Sequence, residues 1–207
     1  MVSREGGIVT VGLQWISDGR FDHYCLTLAK GVQVAELVRR MGGDPSRITE
    51  PVTLSEAGQI DGGYGLVALV GSADGWAFAL EPWSLEGDDE DIVESVSAGT
   101  EAVVVTNSSS GPSMFRMFRD GRALVRFEVT DLDADTVTGE LPGLLVPAMT
   151  RVGILGEDGL SAHPEDAARC VLRLVEEEFR VSVPQIGYDG GQLAAVNLEP
   201  EGFSDDE

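Results

Sequence analysis

Two Asp-Gly pairs, Asp74-Gly75 and Asp120-Gly121, each stand between runs of alternating apolar residues, and they constrain the fold more than any other feature of the chain. A two-residue type I′ turn needs positive φ at both positions, which Asp and Gly tolerate, so each pair predicts a tight hairpin and antiparallel strands. The first hairpin joins Leu66 to Val70 with Trp76 to Glu81. In its second strand Trp76, Phe78 and Leu80 alternate with Ala77 and Ala79, so one face is bulky and the other small. The second hairpin runs from Met114 to Val129.

The remaining elements fall around these hairpins. Tyr24 to Ala29 reads as a buried strand, and Ala102 to Thr106 as another. Val34, Leu37, Val38 and Met41 carry a helical period, closed by Arg39, Arg40 and Gly42-Gly43. Residues 44 to 63 have two prolines, several glycines and no apolar period, which predicts a long connection with room for a mobile loop. Six acids between Glu86 and Glu94 precede Ile92, Val93 and Val96, as suits the start of a short helix ended by Gly99. Leu144 to Val152 predicts a helix with Pro147 in its first turn. A last helix is expected to start at Pro164, with Glu165 and Asp166 in its first turn and Val171, Leu172 and Val175 in its buried stripe. A short strand follows near Leu193 to Leu198. The fold class expected is α+β, a mainly antiparallel sheet built from two hairpins with helices packed on it. No low-complexity linker divides residues 1–203, which read as one α+β domain, or as two intimate halves meeting near residue 100. Residues 204–207 form an acidic tail.

Charge sets the classes of partner. The 207 residues carry 36 acids against 14 bases, a net charge of −22. Such a field repels nucleic-acid phosphates and anionic membrane surfaces and favours a basic protein partner. No run approaches the ~20 apolar residues of a membrane span, and the first residues lack a signal-peptide layout, so a cytoplasmic location is expected. Cys25 and Cys170 lie far apart without metal-ligand or redox spacing and read as reduced, buried thiols.

The run from Tyr24 to Gly31, the sequence GWAFALEP from Gly75 to Pro82, and RDGRALVRFE from Arg119 to Glu128 resemble an uncharacterised actinobacterial family of domain-of-unknown-function proteins. The resemblance covers residues 13 to 180 and rests on motifs of structural character. It implies a cytoplasmic actinobacterial protein, consistent with Lys30 being the only lysine, and it brings no activity and no catalytic residue.

The chain contains no Walker loop, HExxH or GxSxG, and no cofactor or metal is called for. Asp61-Gly62-Gly63-Tyr64-Gly65 precedes a strand and reads as a turn rather than a phosphate cradle. Asp131, Asp133 and Asp135 begin like a calcium loop, but Thr136 and Pro142 occupy the positions of its glycine and bidentate Glu. His23 and Cys25 stand two residues apart on one strand, too far for a direct bond, and read as an edge histidine and a core cysteine. His163 reads as a capping or solvent residue. Four of thirteen arginines crowd the second hairpin, and simple alternation places Arg119, Arg122 and Arg126 on one face and Arg116 on the other. That face is a candidate contact for an anion or acidic partner, weighed against internal salt bridges. Trp83, beside the acid run, is the candidate interface aromatic. The function expected is a non-catalytic acidic interaction module for a basic protein, of immunity or charge-mimic type. The alternative is an enzyme or sensor holding a small anion on Arg119, Arg122 and Arg126.

Overall fold

The central strand, β1 (Tyr24–Lys30), bonds antiparallel to β3 (Trp76–Glu81) along one edge and to β4 (Glu101–Asn107) along the other. With β2 (Val67–Ala73), β5 (Met114–Arg119), β6 (Arg122–Glu128) and β7 (Ala194–Asn197) these make one seven-stranded sheet in the order β6-β5-β4-β1-β3-β2-β7, antiparallel throughout. This computed structural model describes residues 12–19, 21–60, 65–130, 132–161, 166–186 and 191–198. The expected α+β class holds. Both Asp-Gly turns have the predicted geometry, with φ of 54° and 84° at Asp74 and Gly75 and of 52° and 75° at Asp120 and Gly121.

Because β1 is buried along almost its whole length, both faces of the sheet must be covered. The bulky face carries Leu26, Leu28, Phe78, Leu80, Val103 and Phe115 in the larger core, under α4 (Val146–Arg151), α5 (Ala167–Phe179) and a 3₁₀ turn at Gln14–Ser17. Phe115 and Phe127, opposite each other in register, stack with ring centroids 4.7 Å apart. Gly71 makes room for its partner Phe78, whose ring would lie 2.5 Å from a Cβ there. The opposite face is floored by Ala29, Ala77, Ala79 and Ala102, and on these small residues sit α1 (Val34–Arg40) and α3 (Glu90–Ser97). Arg40 ties the two helices together, donating from Nη1 to the carbonyls of Val96 (2.9 Å) and Ala98 (2.7 Å).

Two expectations need correction. Residues 44–60 are largely ordered structure: a 3₁₀ turn at Pro45–Arg47 is capped by Asp44, and α2 (Leu54–Ala57) is closed by a Thr53–Glu56 capping box, burying Leu54 and Ala57. The last helix spans Ala167–Phe179, so Asp166 stands at its N-cap rather than in its first turn. Asp61–Tyr64, Asp131, His163, Pro164, Glu165 and the acidic tail lie outside the described residues.

A buried carboxylate fixes the segment between β3 and α3. Glu81 is fully buried at the end of β3, opposite Cys25, where it accepts hydrogen bonds from Ser84 Oγ (2.5 Å) and from the backbone N–H of Gly87 (3.0 Å). Loss of hydration pushes its pKa up, and those donors offset only part of that effect. Gly87 lies so close over this cluster that a Cβ would stand 2.4 Å from Thr27 Oγ1, 2.6 Å from Glu81 Oε1 and 3.0 Å from Cys25 Sγ.

Gly87→Ala should therefore destabilise the chain by about 1–3 kcal/mol, as measured by denaturant unfolding. A raised carboxylate pKa in the folded state means that Glu81 adds stability when protonated and that this contribution is lost as pH rises from its ordinary 4.5 through the folded-state value. Glu81→Gln should lack that loss, so the stability of the variant relative to the natural chain should rise as the pH is raised above 4.5. A difference that stays constant over this range would show that Glu81 does not titrate differently on folding.

Candidate functional site

The acid run and the arginine hairpin meet beside α3, and the register of the hairpin decides which charges remain free. β5 and β6 pair Met117 with Val125 but Phe118 with Ala123, so Leu124 is an extra residue on β6, a β-bulge. The Leu124 carbonyl accepts from the backbone N–H of Leu141 (2.9 Å) in the segment that flanks the edge of β6. A bulge reverses the alternation beyond it, so Arg126 stands opposite Arg116 while Arg119 stands opposite Arg122. The expected single face of Arg119, Arg122 and Arg126 is thereby split between the two sides of the sheet.

Each of these arginines meets a carboxylate of the same chain. Arg116 Nε lies 2.8 Å from Asp88 Oδ1, and Arg126 pairs with Glu90 while its guanidinium rests 4.8 Å from the centre of the Phe118 ring. Arg119 and Lys30 share Glu101, and the two cations outweigh the effect of burial and hold that carboxyl below its ordinary pKa. Arg122 lies 3.7 Å from Glu140 in solvent. Burial raises the Asp88 pKa, opposed by Arg116 and Arg126.

Within the acid run the roles are now distinct. Asp88 and Glu90 are neutralised, and Asp89 caps α3 by accepting from the N–H groups of Asp91 (2.9 Å) and Ile92 (3.4 Å). Glu86 and Asp91 have no cationic partner among the described residues. Both line a cleft of about 280 Å³ between α1 and α3, whose remaining walls are Arg40, Met41, Gly42, Leu66, Ile92 and Leu198. Arg40 is bound to Glu36 and to two carbonyls, so its charge is committed. The cleft thus joins apolar walls to two free carboxylates. A lysine or arginine side chain has matching chemistry, an apolar stem with a cationic head.

The other sequence candidates are placed as follows. Trp83 is half-buried against the larger core, and its carbonyl accepts from His23 Nε2 (2.8 Å). His23 is therefore turned to Trp83, whereas Cys25 is fully buried with its sulfur 3.7 Å from Thr27 Oγ1, and burial followed by the Glu81 charge pushes its pKa well up. Cys170 is also a free buried thiol. The Asp133 carboxylate caps its own turn, accepting from Asp135 N (2.9 Å). Among the described residues no three His, Cys, Asp or Glu side chains converge to hold a metal, and no helix is long and apolar enough to cross a membrane. Sequence reasoning singled out the acid run but missed the cleft, because Asp88 and Glu90 are paired with Arg116 and Arg126 of the hairpin, contacts remote in sequence that leave Glu86 and Asp91 as the acids of the cleft.

No curated protein and no solved structure matches the chain. A family model described as a family of unknown function, DUF6461, matches residues 12–183. Most of the sheet and its covering helices fall within that span, and the chain belongs to this family.

Proposed function

We propose that this chain is a non-catalytic, acidic interaction module of the cytoplasm that binds a basic protein partner, as an immunity protein or a mimic of nucleic-acid charge would. The observation that carries this reading is the α1–α3 cleft, where Glu86 and Asp91 stand unpaired beside apolar walls. A net charge of −22 would draw a cationic partner toward the molecule from a distance, and the cleft would then take up one of its arginine or lysine side chains. The same field disfavours nucleic acid as a partner. Two unbridged, buried thiols are in keeping with a reducing compartment. The alternative, a small anion held on the hairpin, is the weaker reading, since Arg119, Arg122 and Arg126 each meet a carboxylate already.

The test uses an arginine-rich peptide as probe, titrated by fluorescence anisotropy. Glu86→Gln/Asp91→Asn should weaken binding by roughly tenfold at low salt, and the natural chain should lose more affinity than the variant as salt is added. The melting temperature should change little, because neither side chain has a partner to lose among the described residues. Unchanged affinity in the double variant would refute the cleft as the contact.

A further inference from the structure

A second cavity lies on the other side of the sheet, and its chemistry is opposite. It encloses about 400 Å³ between the end of α4 and the start of α5, lined by Arg151, Val152, Gly153, Asp166, Arg169, Cys170 and Arg173. Three of the thirteen arginines of a strongly acidic chain therefore meet around one hollow.

Their neutralisation is incomplete. Arg169 and Arg173 are spaced i, i+4 on α5, so two like charges sit on adjacent turns, an arrangement that is unfavourable without a counter-charge. The carboxylates placed to neutralise Arg173, at i+3 and i+4, are engaged elsewhere. Glu176 accepts from the backbone N–H of Leu13 (3.4 Å), while Glu177 and Glu178 lie 3.5 and 3.1 Å from Arg151. Among the described residues neither Arg169 nor Arg173 meets a carboxylate within ion-pair distance. Asp166 adds one negative charge to the wall beside these two unpaired arginines, while Arg151 is already held by Glu177 and Glu178. Cys170 is wall rather than nucleophile, since burial pushes its thiol pKa up despite the opposing effects of Arg173 and Arg169.

We propose that the cavity bounded by Arg151, Arg169 and Arg173 binds a small phosphorylated molecule, with its phosphoryl oxygens held by the two unpaired guanidinium groups of Arg169 and Arg173. A guanidinium presents parallel N–H donors that match a phosphoryl group in bidentate fashion, and a tetrahedral oxyanion can accept from several elements at once. A single planar carboxylate would satisfy one such fork but leave the second arginine uncompensated, and a polycarboxylate such as citrate must bring two separate groups to the spacing of the two arginines. The volume suits a small ligand. This site is independent of the acidic cleft, which can fail its own test without affecting this one.

The experiment is calorimetric titration of the full chain at constant ionic strength, with pyrophosphate as the probe, inorganic phosphate as a second probe and citrate as the carboxylate comparison. Saturable pyrophosphate binding is expected, with citrate weaker, and Arg169→Gln/Arg173→Gln should reduce the pyrophosphate affinity by at least roughly tenfold. Arg122→Gln, an exposed hairpin arginine outside the cavity, should bind as the natural chain does. Arg173→Lys retains the charge but not the fork and should bind with intermediate affinity, which provides a reading should the double variant not fold. No saturable binding of pyrophosphate to the natural chain, citrate binding as tightly as pyrophosphate, or full affinity in the variants would each overturn the proposal.

Discussion

The pairing of β1 on both edges is the constraint from which the rest of the molecule follows. A strand bonded on both sides, with Cys25, Leu26, Thr27, Leu28 and Ala29 all buried, leaves no solvated face to the sheet at its centre, so helices must cover both sides. The division of residue size across the strands decides how. Alanines at 29, 77, 79 and 102 make a shallow floor on which α1 and α3 lie, while leucine and phenylalanine on the reverse fill the wider space beneath α4 and α5. The acidic cleft is a consequence of this layering, since it forms between α1 and α3 above the floor.

Burial of Glu81 belongs to the same scheme. A carboxyl group with no solvent access is tolerated because the chain after β3 wraps over it and supplies an N–H and a hydroxyl as donors. That wrap fixes the path of residues 82–89, and so determines where Glu86 emerges and where α3 begins. Replacing Gly87 by any residue with a side chain would lift the wrap off Thr27 and Glu81. The site's geometry thus depends on a glycine and a buried acid that never touch a partner.

Much of this was legible in the sequence. Asp-Gly between alternating strands fixed both hairpins because only a few residues tolerate positive φ in succession, and the Trp76-to-Leu80 alternation gave the bulky and small faces. The bulge at Leu124 was not legible. Nothing in RALVRFE marks an extra residue, because the bulged carbonyl is satisfied by Leu141, 17 positions downstream, and one inserted residue is enough to move Arg126 to the other face. The capping box at Thr53–Glu56 is a local signal that stood in the sequence but was masked by the prolines around it. The Arg151–Arg169–Arg173 cavity was hidden for a third reason. Its residues come from two helices whose packing is settled by tertiary contact, and the spacing of Arg169 and Arg173 on α5 looks like an ordinary solvated face until Glu176 is seen to be engaged with Leu13 and Glu177 and Glu178 with Arg151.

The two cavities have opposite signs and lie in different layers, and that separation bears on how each can act. Helix layers stand about 10 Å from a sheet on either side, so charges in the α1–α3 layer and the α4–α5 layer are about two helix–sheet spacings apart. At physiological ionic strength the Debye length is about 8 Å, and both sets of charged groups face solvent, so the field of one site is largely screened at the other. Any coupling between a basic partner on the acidic cleft and a phosphorylated ligand on the arginine cavity would have to pass through the sheet as a shift of packed residues. The densely packed faces of β1 resist such a shift, with residues 25 to 29 wholly inaccessible to solvent. The architecture therefore favours two sites that act independently, in which Arg169 and Arg173 remain unpaired among the described residues because Glu176 is taken up by Leu13 and Glu177 and Glu178 by Arg151.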